Sequence, residues 1–169
     1  MYLVKDFCAD LNSIASAIKN LLNKFFSSQF NERYMNDLSK TKNIIVKNPL
    51  KLDCGKEISN FSLAYETYGK LNEKKDNAIL VFHALTGDQF ASGINPVTNK
   101  EGWWSHALGS GKAFDTEKFF VICANVIGGC MGSYGPSTID TKTNKPFGTN
   151  FPVVTINDMV NAQYNLLDF

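Results

Sequence analysis

The first 48 residues of this 169-residue chain contain neither glycine nor proline, whereas the remainder holds all 12 glycines and all 5 prolines. These two residues mark most turns, so their absence indicates that the first stretch is built differently from the rest. We therefore predict a boundary near Asn48. Residues 1–47 are predicted to form a helix and a linker, and residues 48–169 a domain rich in turns.

Three further absences exclude whole classes of protein. No apolar run approaches the roughly 18–20 residues that span a bilayer, and no small-residue cleavage site follows the N-terminal apolar residues. The four cysteines, Cys8, Cys54, Cys123 and Cys130, form no C-x-x-C pair and have no histidine at zinc spacing. We expect reduced thiols, no metal site and a cytoplasmic location.

A charge excess of either sign is also lacking. Seventeen basic residues stand against 16 acidic ones, and the formal net charge is +1. Such a chain has no overall electrostatic field that would attract nucleic acid, so nucleic acid is not expected as a partner. With 44% hydrophobic and 20% charged residues, the composition is that of a globular protein and excludes wholesale disorder.

Residues 1–30 predict one amphipathic helix, because apolar residues recur at steps of three and four. These residues are Leu3, Phe7, Leu11, Ile14, Ile18, Leu21 and Phe25. The apolar face is most simply a docking surface for a partner or a second copy. The Phe25-Phe26 end and its neighbouring lysines leave weak contact with a membrane surface as a less favoured alternative.

The second part alternates between strand and helix signals. A strand is predicted over residues 61–68, and the apolar runs 78–82 and 118–124 are typical of strands buried on both faces of a mainly parallel sheet. A glycine-rich loop covers residues 128–148. A final helix begins at Thr155, whose side chain caps it together with Asp158 three residues on. This order of elements predicts an α/β fold.

Several motifs of this second part resemble, in order and in spacing, the N-terminal part of the homoserine O-acetyltransferases, which have the α/β-hydrolase fold. The motifs are NPLKLDCGKE at 48–57, FSLAYETYGKLN at 61–72, HALTGD at 83–88, GWW at 102–104, FFVICANVIGGCMGS at 119–133, GPS at 135–137 and FPVVTINDMV at 151–160. Linked motifs in register are more specific than any short pattern alone. The resemblance does not extend to residues 1–47.

The resemblance implies an activity and one site residue. Enzymes of this family pass an acetyl group from acetyl-CoA to the hydroxyl of L-homoserine, in methionine biosynthesis, through a catalytic serine, aspartate and histidine. Acetyl-CoA is then a substrate, and no cofactor or metal is implied. The 83–88 loop follows the third strand of the hydrolase fold, so the backbone N–H of Leu85 is the expected oxyanion donor. A leucine that simply packs after a buried strand is the alternative.

The catalytic serine itself is missing from these 169 residues. None of Ser92, Ser110 and Ser133 lies in the G-x-S-x-G motif of the hydrolase fold, because Phe90, Leu108 and Met131 stand two residues before them. Neither histidine, His83 or His106, matches the catalytic base. We expect the sequence to stop before the triad and the substrate-binding residues, which stay unassigned, and to be inactive alone.

Three interpretations of this expected truncation stay open. The chain is a remnant of a broken gene, one half of a split acyltransferase that pairs with a C-terminal half chain or a second copy, or a non-catalytic interaction protein. Structural roles are expected for four other features. His83 is expected to fix its loop by hydrogen bonds, Trp103 and Trp104 to cover an edge of the sheet, the glycines after 127 to form tight turns, and Cys123 to pack in the core.

Overall fold

A computed structural model describes residues 41–168. The predicted N-terminal helix lies outside the described residues. The strands are β1 (Lys42–Val46), β2 (Leu50–Lys51), β3 (Glu57–Ile58), β4 (Phe61–Tyr68), β5 (Ala78–Val81), β6 (Leu108–Gly109), β7 (Phe114–Asp115), β8 (Phe120–Ala124), β9 (Ile139–Asp140) and β10 (Lys145–Pro146). The helices are α1 (Ile156–Tyr164) and two 3₁₀ helices, η1 (Gly148–Asn150) and η2 (Asn165–Asp168).

Four strands form one sheet in the order β1-β4-β8-β5. β1 runs antiparallel to β4 and β4 antiparallel to β8, whereas β8 and β5 are parallel. The three predicted strands and the α/β class are confirmed, although within residues 41–168 the sheet is mixed rather than mainly parallel. β1 lies before the predicted boundary at Asn48 and pairs with β4 along its full length, so the sheet begins inside the stretch predicted as linker.

The parallel pair requires a long connection between β5 and β8, because a tight turn can join only antiparallel neighbours. Residues 82–119 supply that connection and cover one face of the sheet. Their core with the sheet consists of Val81, Ala91, Leu108, Val121 and Cys123, with Trp104 and Phe114 packed against it. One face of β5 and β8 is therefore closed by local chain.

Helix α1 covers part of the opposite face. Its buried Ala162 and the following Leu166 join Val46, Phe61 and Leu63 in a second core cluster. The predicted capping box is confirmed, since the Thr155 hydroxyl accepts from the Asp158 N–H and the Asp158 carboxylate accepts from the Thr155 N–H.

Among the described residues 41–168, the rest of that face is open. An apolar groove of about 500 Å³ runs over the sheet beside η2, lined by Ile44, Tyr65, Thr67, Leu71, Lys75, Ala78, Phe120, Ile122, Leu166 and Leu167. The outer side of α1 is also apolar, because Ile156 and Tyr164 are 70% and 66% exposed. Val160 of α1 and Leu167 of η2 are also exposed, at 42% and 47%. Within residues 41–168, no helix has the length and apolar character to cross a membrane.

Candidate active site at the end of strand β5

The 83–88 loop leaves the carboxyl end of β5 and turns at once. The Gly87 N–H donates to the Ala84 carbonyl oxygen at 2.7 Å, which closes a four-residue turn with Leu85 in its second position. The Leu85 residue is 83% exposed, so the alternative of a packed leucine does not hold within residues 41–168. No hydrogen bond among these residues uses the Leu85 N–H. The turn thus presents an unused backbone donor beyond the end of β5.

Both ring nitrogens of His83 are engaged. The Val126 N–H donates to His83 Nε2 at 3.3 Å, and His83 Nδ1 lies 2.7 Å from the Ala84 carbonyl oxygen. An N–H needs an acceptor and a carbonyl needs a donor, so Nε2 carries the lone pair and Nδ1 carries the proton. The ring ties the loop after β5 to the loop after β8, which agrees with the predicted role in fixing its loop. His106, the other histidine, is exposed.

The side chain and the carbonyl of Asp88 hold the far end of the loop. Its Oδ1 accepts from the Phe90 N–H and its Oδ2 from Asn95 Nδ2, both at 2.9 Å. Its backbone carbonyl accepts from Trp103 Nε1 at 2.9 Å. Burial raises the pKa of Asp88 above its usual value of 3.8, although the hydrogen bonds from Phe90 and Asn95 act in the opposite direction.

The raised pKa of Asp88 makes stability pH-dependent in a defined direction. Below pH 3.8 the carboxyl is protonated in the folded and unfolded states, and its contribution to stability is fully present. Between 3.8 and the raised pKa the folded state binds more protons, so this contribution is lost as the pH rises. We expect the unfolding free energy of the chain, relative to that of Asp88→Asn, to fall from pH 3 to pH 7 in urea titrations. A relative stability that rises with pH would contradict this assignment.

Three buried polar residues, Gln89, Asn125 and Ser133, lie beneath the loops after β5 and β8 and are called the floor of the site. Gln89 is fully buried, and its Nε2 donates to the Met131 carbonyl at 2.8 Å and to Thr41 Oγ1 at 3.0 Å. Ser133 Oγ accepts from the Ala64 N–H at 3.0 Å and donates to the Asn125 carbonyl at 2.6 Å. Ser133 is therefore a cross-link between β4 and the loop after β8. Its structural role agrees with its exclusion as a nucleophile.

The floor was not predicted from the sequence, although a signal was present. Asn125 follows directly on the apolar strand β8 and Gln89 follows on the 83–88 loop, and a polar residue is buried at such places only if it finds partners. Each keeps one unpaired polar atom within the described part of the chain, Gln89 Oε1 and Asn125 Nδ2. Both side chains thus have unused hydrogen-bonding capacity beneath the loops at the carboxyl ends of β5 and β8.

The glycines of the 128–148 loop act through backbone geometry, as predicted. Gly128 and Gly132 have φ values of +82° and +102°, which side-chain-bearing residues rarely adopt. A Cβ on Gly129 would lie 2.8 Å from Asn125 Oδ1 and 2.9 Å from the Val126 carbonyl oxygen. These glycines let the loop fold tightly over the end of β8.

The paired tryptophans support the site from one side. Their rings stack with centroids 5.4 Å apart, and Trp104 packs against Phe114 at 4.5 Å. Trp104 joins the core on the face of the sheet rather than at its edge. Trp103 is partly exposed and donates to the Asp88 carbonyl, so it connects this core to the 83–88 loop.

Cys123, the cysteine of strand β8, offers no nucleophile at this site. Cys123 is fully buried, and burial, with a smaller effect of the Asp88 charge, raises the pKa of its thiol to about 12. It therefore stays a thiol at neutral pH and behaves as the core residue that was predicted. Cys130 is exposed in the glycine-rich loop.

Comparison with known proteins agrees with this geometry. No protein-family model matches the chain. The homoserine O-acetyltransferase of Pelagibacter ubique is 78% identical over 128 residues, which are 76% of this chain and 34% of that protein. The crystal structure of homoserine O-acetyltransferase from Bacillus anthracis superposes with a TM-score of 0.69 at 32% identity, covering 76% of this chain and 36% of that one. Esterase E22 gives a TM-score of 0.66 at 34% identity, covering 76% of this chain and 37% of that one.

The sheet, its long parallel crossover and these structural relatives define part of an α/β-hydrolase fold. Within that class the chain is a homologue of the homoserine O-acetyltransferases, and the family resemblance of its motifs is confirmed. The chain spans about a third of the length of the curated relatives it matches.

Proposed function

We propose that this chain supplies the oxyanion side of an acyltransferase that moves the acetyl group of acetyl-CoA to the side-chain hydroxyl of L-homoserine. The observation that carries the proposal is the Leu85 N–H, which no hydrogen bond of residues 41–168 uses, at the end of β5. The supporting context is the 78% identity to a homoserine O-acetyltransferase. The cytoplasmic location and the place in methionine biosynthesis belong to the same proposal.

The chemistry requires negative charge to be stabilised twice. A serine attacks the thioester carbonyl of acetyl-CoA, the tetrahedral oxyanion collapses and CoA leaves; the homoserine hydroxyl then attacks the acyl-enzyme through a second oxyanion. A backbone N–H aimed at that oxygen is typically worth about 3–4 kcal/mol of barrier. Leu85 is the proposed donor in both steps.

The serine, its base and its acid come, in this proposal, from polypeptide other than these 169 residues, which contain no G-x-S-x-G serine. Two features of the fold favour such an addition. β5 pairs with β8 alone among the described strands, so its other edge is open to a further strand. The apolar groove over Ala78, Phe120 and Ile122 leaves uncovered the sheet face that α/β folds cover with helices.

The experiment combines this chain with the part of the Pelagibacter ubique relative that it does not match. The two pieces are co-expressed, purified together and assayed for CoA release from acetyl-CoA with and without L-homoserine, beside each piece alone. We expect release that depends on homoserine from the pair and none from this chain by itself.

Other outcomes decide among the alternatives. Turnover by the chain alone would contradict the need for a second piece, and a stable but inactive pair would favour a non-catalytic interaction protein. Acetyl-CoA hydrolysis that homoserine does not increase would favour an esterase-like activity. Succinyl-CoA in a parallel assay tests the choice of acyl donor.

A further inference from the structure

We infer that His83 is a positioning residue that acts through the Ala84 carbonyl and fixes the direction of the Leu85 N–H. The inference rests on the proposed oxyanion role of Leu85 and goes beyond it, because it concerns a side chain that would touch neither the substrate nor the nucleophile. It also assigns separate tasks to the two ring nitrogens.

The first step is the geometry of one peptide group. The Ala84 carbonyl and the Leu85 N–H belong to the same planar unit, so in the trans form they point in opposite directions. Two donors hold the Ala84 oxygen, His83 Nδ1 and the Gly87 N–H, each at 2.7 Å. Rotating this peptide to redirect the Leu85 N–H would break both bonds. The two bonds to the Ala84 oxygen therefore fix the direction of the Leu85 N–H.

The second step is the control of the ring proton. The Val126 N–H can only donate, so its bond to Nε2 selects the tautomer with the proton on Nδ1. Without that selection, Nδ1 could lose its proton, and two lone pairs would then face each other at the Ala84 oxygen. The Val126 N–H, which follows β8, therefore determines whether His83 can donate to the Ala84 carbonyl in the loop after β5.

The third step is the close packing of the turn against the histidine. A Cβ on Gly87 would lie 3.0 Å from His83 Cβ and 3.2 Å from the Ala84 oxygen. Glycine at this position lets the turn close directly against the histidine. The imidazole, the turn and the exposed donor thus form one unit of six residues, 83–88.

The alternative is that His83 merely ties two loops together, in which case its bond to Val126 matters as much as its bond to Ala84. Two amide substitutions separate these roles. In His83→Asn the side-chain amide occupies the place of Nδ1 and keeps a donor for the Ala84 oxygen. In His83→Gln the amide reaches the place of Nε2, keeps a partner for Val126 and loses the donor to Ala84.

The variants are compared in the co-purified pair described above. We expect His83→Gln to lower kcat about 10–100-fold with little change in KM, short of the roughly 10²–10³-fold loss when an oxyanion donor is removed outright. His83→Asn should keep most of kcat, although it loses the bond to Val126. Thermal midpoints of both variants are recorded, because a purely structural tie predicts that activity follows stability.

Two results would overturn the inference while the pair remains active: equal loss of kcat in both variants, or greater loss in His83→Asn. An independent readout is the ¹⁵N spectrum of the imidazole in histidine-labelled protein, where we expect the neutral ring protonated at Nδ1. A ring protonated at Nε2 would also refute the inference. If the unmodified pair shows no homoserine-dependent release, the proposed function fails instead, and the imidazole spectrum still decides whether His83 holds the Ala84 carbonyl.

Discussion

Replacing Leu85 by proline is expected to lower kcat for homoserine-dependent acetyl transfer by about 10²–10³-fold in the co-purified pair. Proline removes the one backbone hydrogen that the proposed mechanism needs. Its fixed φ suits the second position of a turn, which Leu85 occupies between Ala84 and Gly87, so the loop keeps its shape. Steady-state kinetics with acetyl-CoA and L-homoserine measure the effect, with KM expected to change little.

The matched control is Leu85→Ala, which shortens the side chain and keeps the N–H. Because the leucine is 83% exposed within residues 41–168, its loss should alter kcat by no more than about twofold, the range of ordinary surface substitutions. A proline variant with unimpaired kcat would remove Leu85 from the mechanism. An alanine variant as damaged as the proline variant would assign the role to the side chain.

Features that depend on neighbours in sequence could be predicted here. The predicted strands over 61–68, 78–82 and 118–124 correspond to β4, β5 and β8, and Thr155 with Asp158 forms a capping box within a single helical turn. Each of these signals is complete within a few residues. Periodicity and capping chemistry therefore suffice to identify the elements.

The pairing of the strands, in contrast, depends on residues that are distant in sequence. The apolar runs suggested strands buried on both faces, yet β5 lies at the edge of the described sheet with Ala78 exposed, and β4 runs antiparallel to β8. Pairing depends on where the long connection of residues 82–119 returns the chain. Nothing inside a strand specifies that return, so the mixed sheet was not predicted.

The candidate site divides in the same way. Leu85 came from its place in a motif of six consecutive residues. The atoms that control the loop around it come from far along the chain: Val126 lies 43 positions from His83, and Thr41 lies 48 positions from Gln89. Such bonds form only once β5, β8 and the glycine-rich loop are packed together. Turn and strand signals locate a site, whereas its hydrogen bonds require the fold.

Glycine shows how one residue type combines local and distant constraints, and Gly69→Ala is expected to have the largest effect on stability. Gly69 follows β4 with φ +81°, and a Cβ there would lie 2.2 Å from the Phe119 carbonyl oxygen and 2.6 Å from that of Thr116. Those atoms cannot yield freely, because Phe120 next in sequence begins β8. We expect a loss of about 3 kcal/mol or more, the sum of a left-handed backbone and a steric overlap.

Gly55→Ala is the control that separates the two costs. Gly55 has the same φ of +81°, but nothing lies within 4 Å of the Cβ that alanine would add. This variant should lose only the backbone term, about 1–2 kcal/mol. Urea denaturation of both variants and the unmodified chain gives the comparison, with equal slopes required before midpoints are converted to free energies. Equal destabilisation by the two substitutions would show that the approach of residues 116–119 to β4 is soft, and that the entry to β8 is not fixed by this contact.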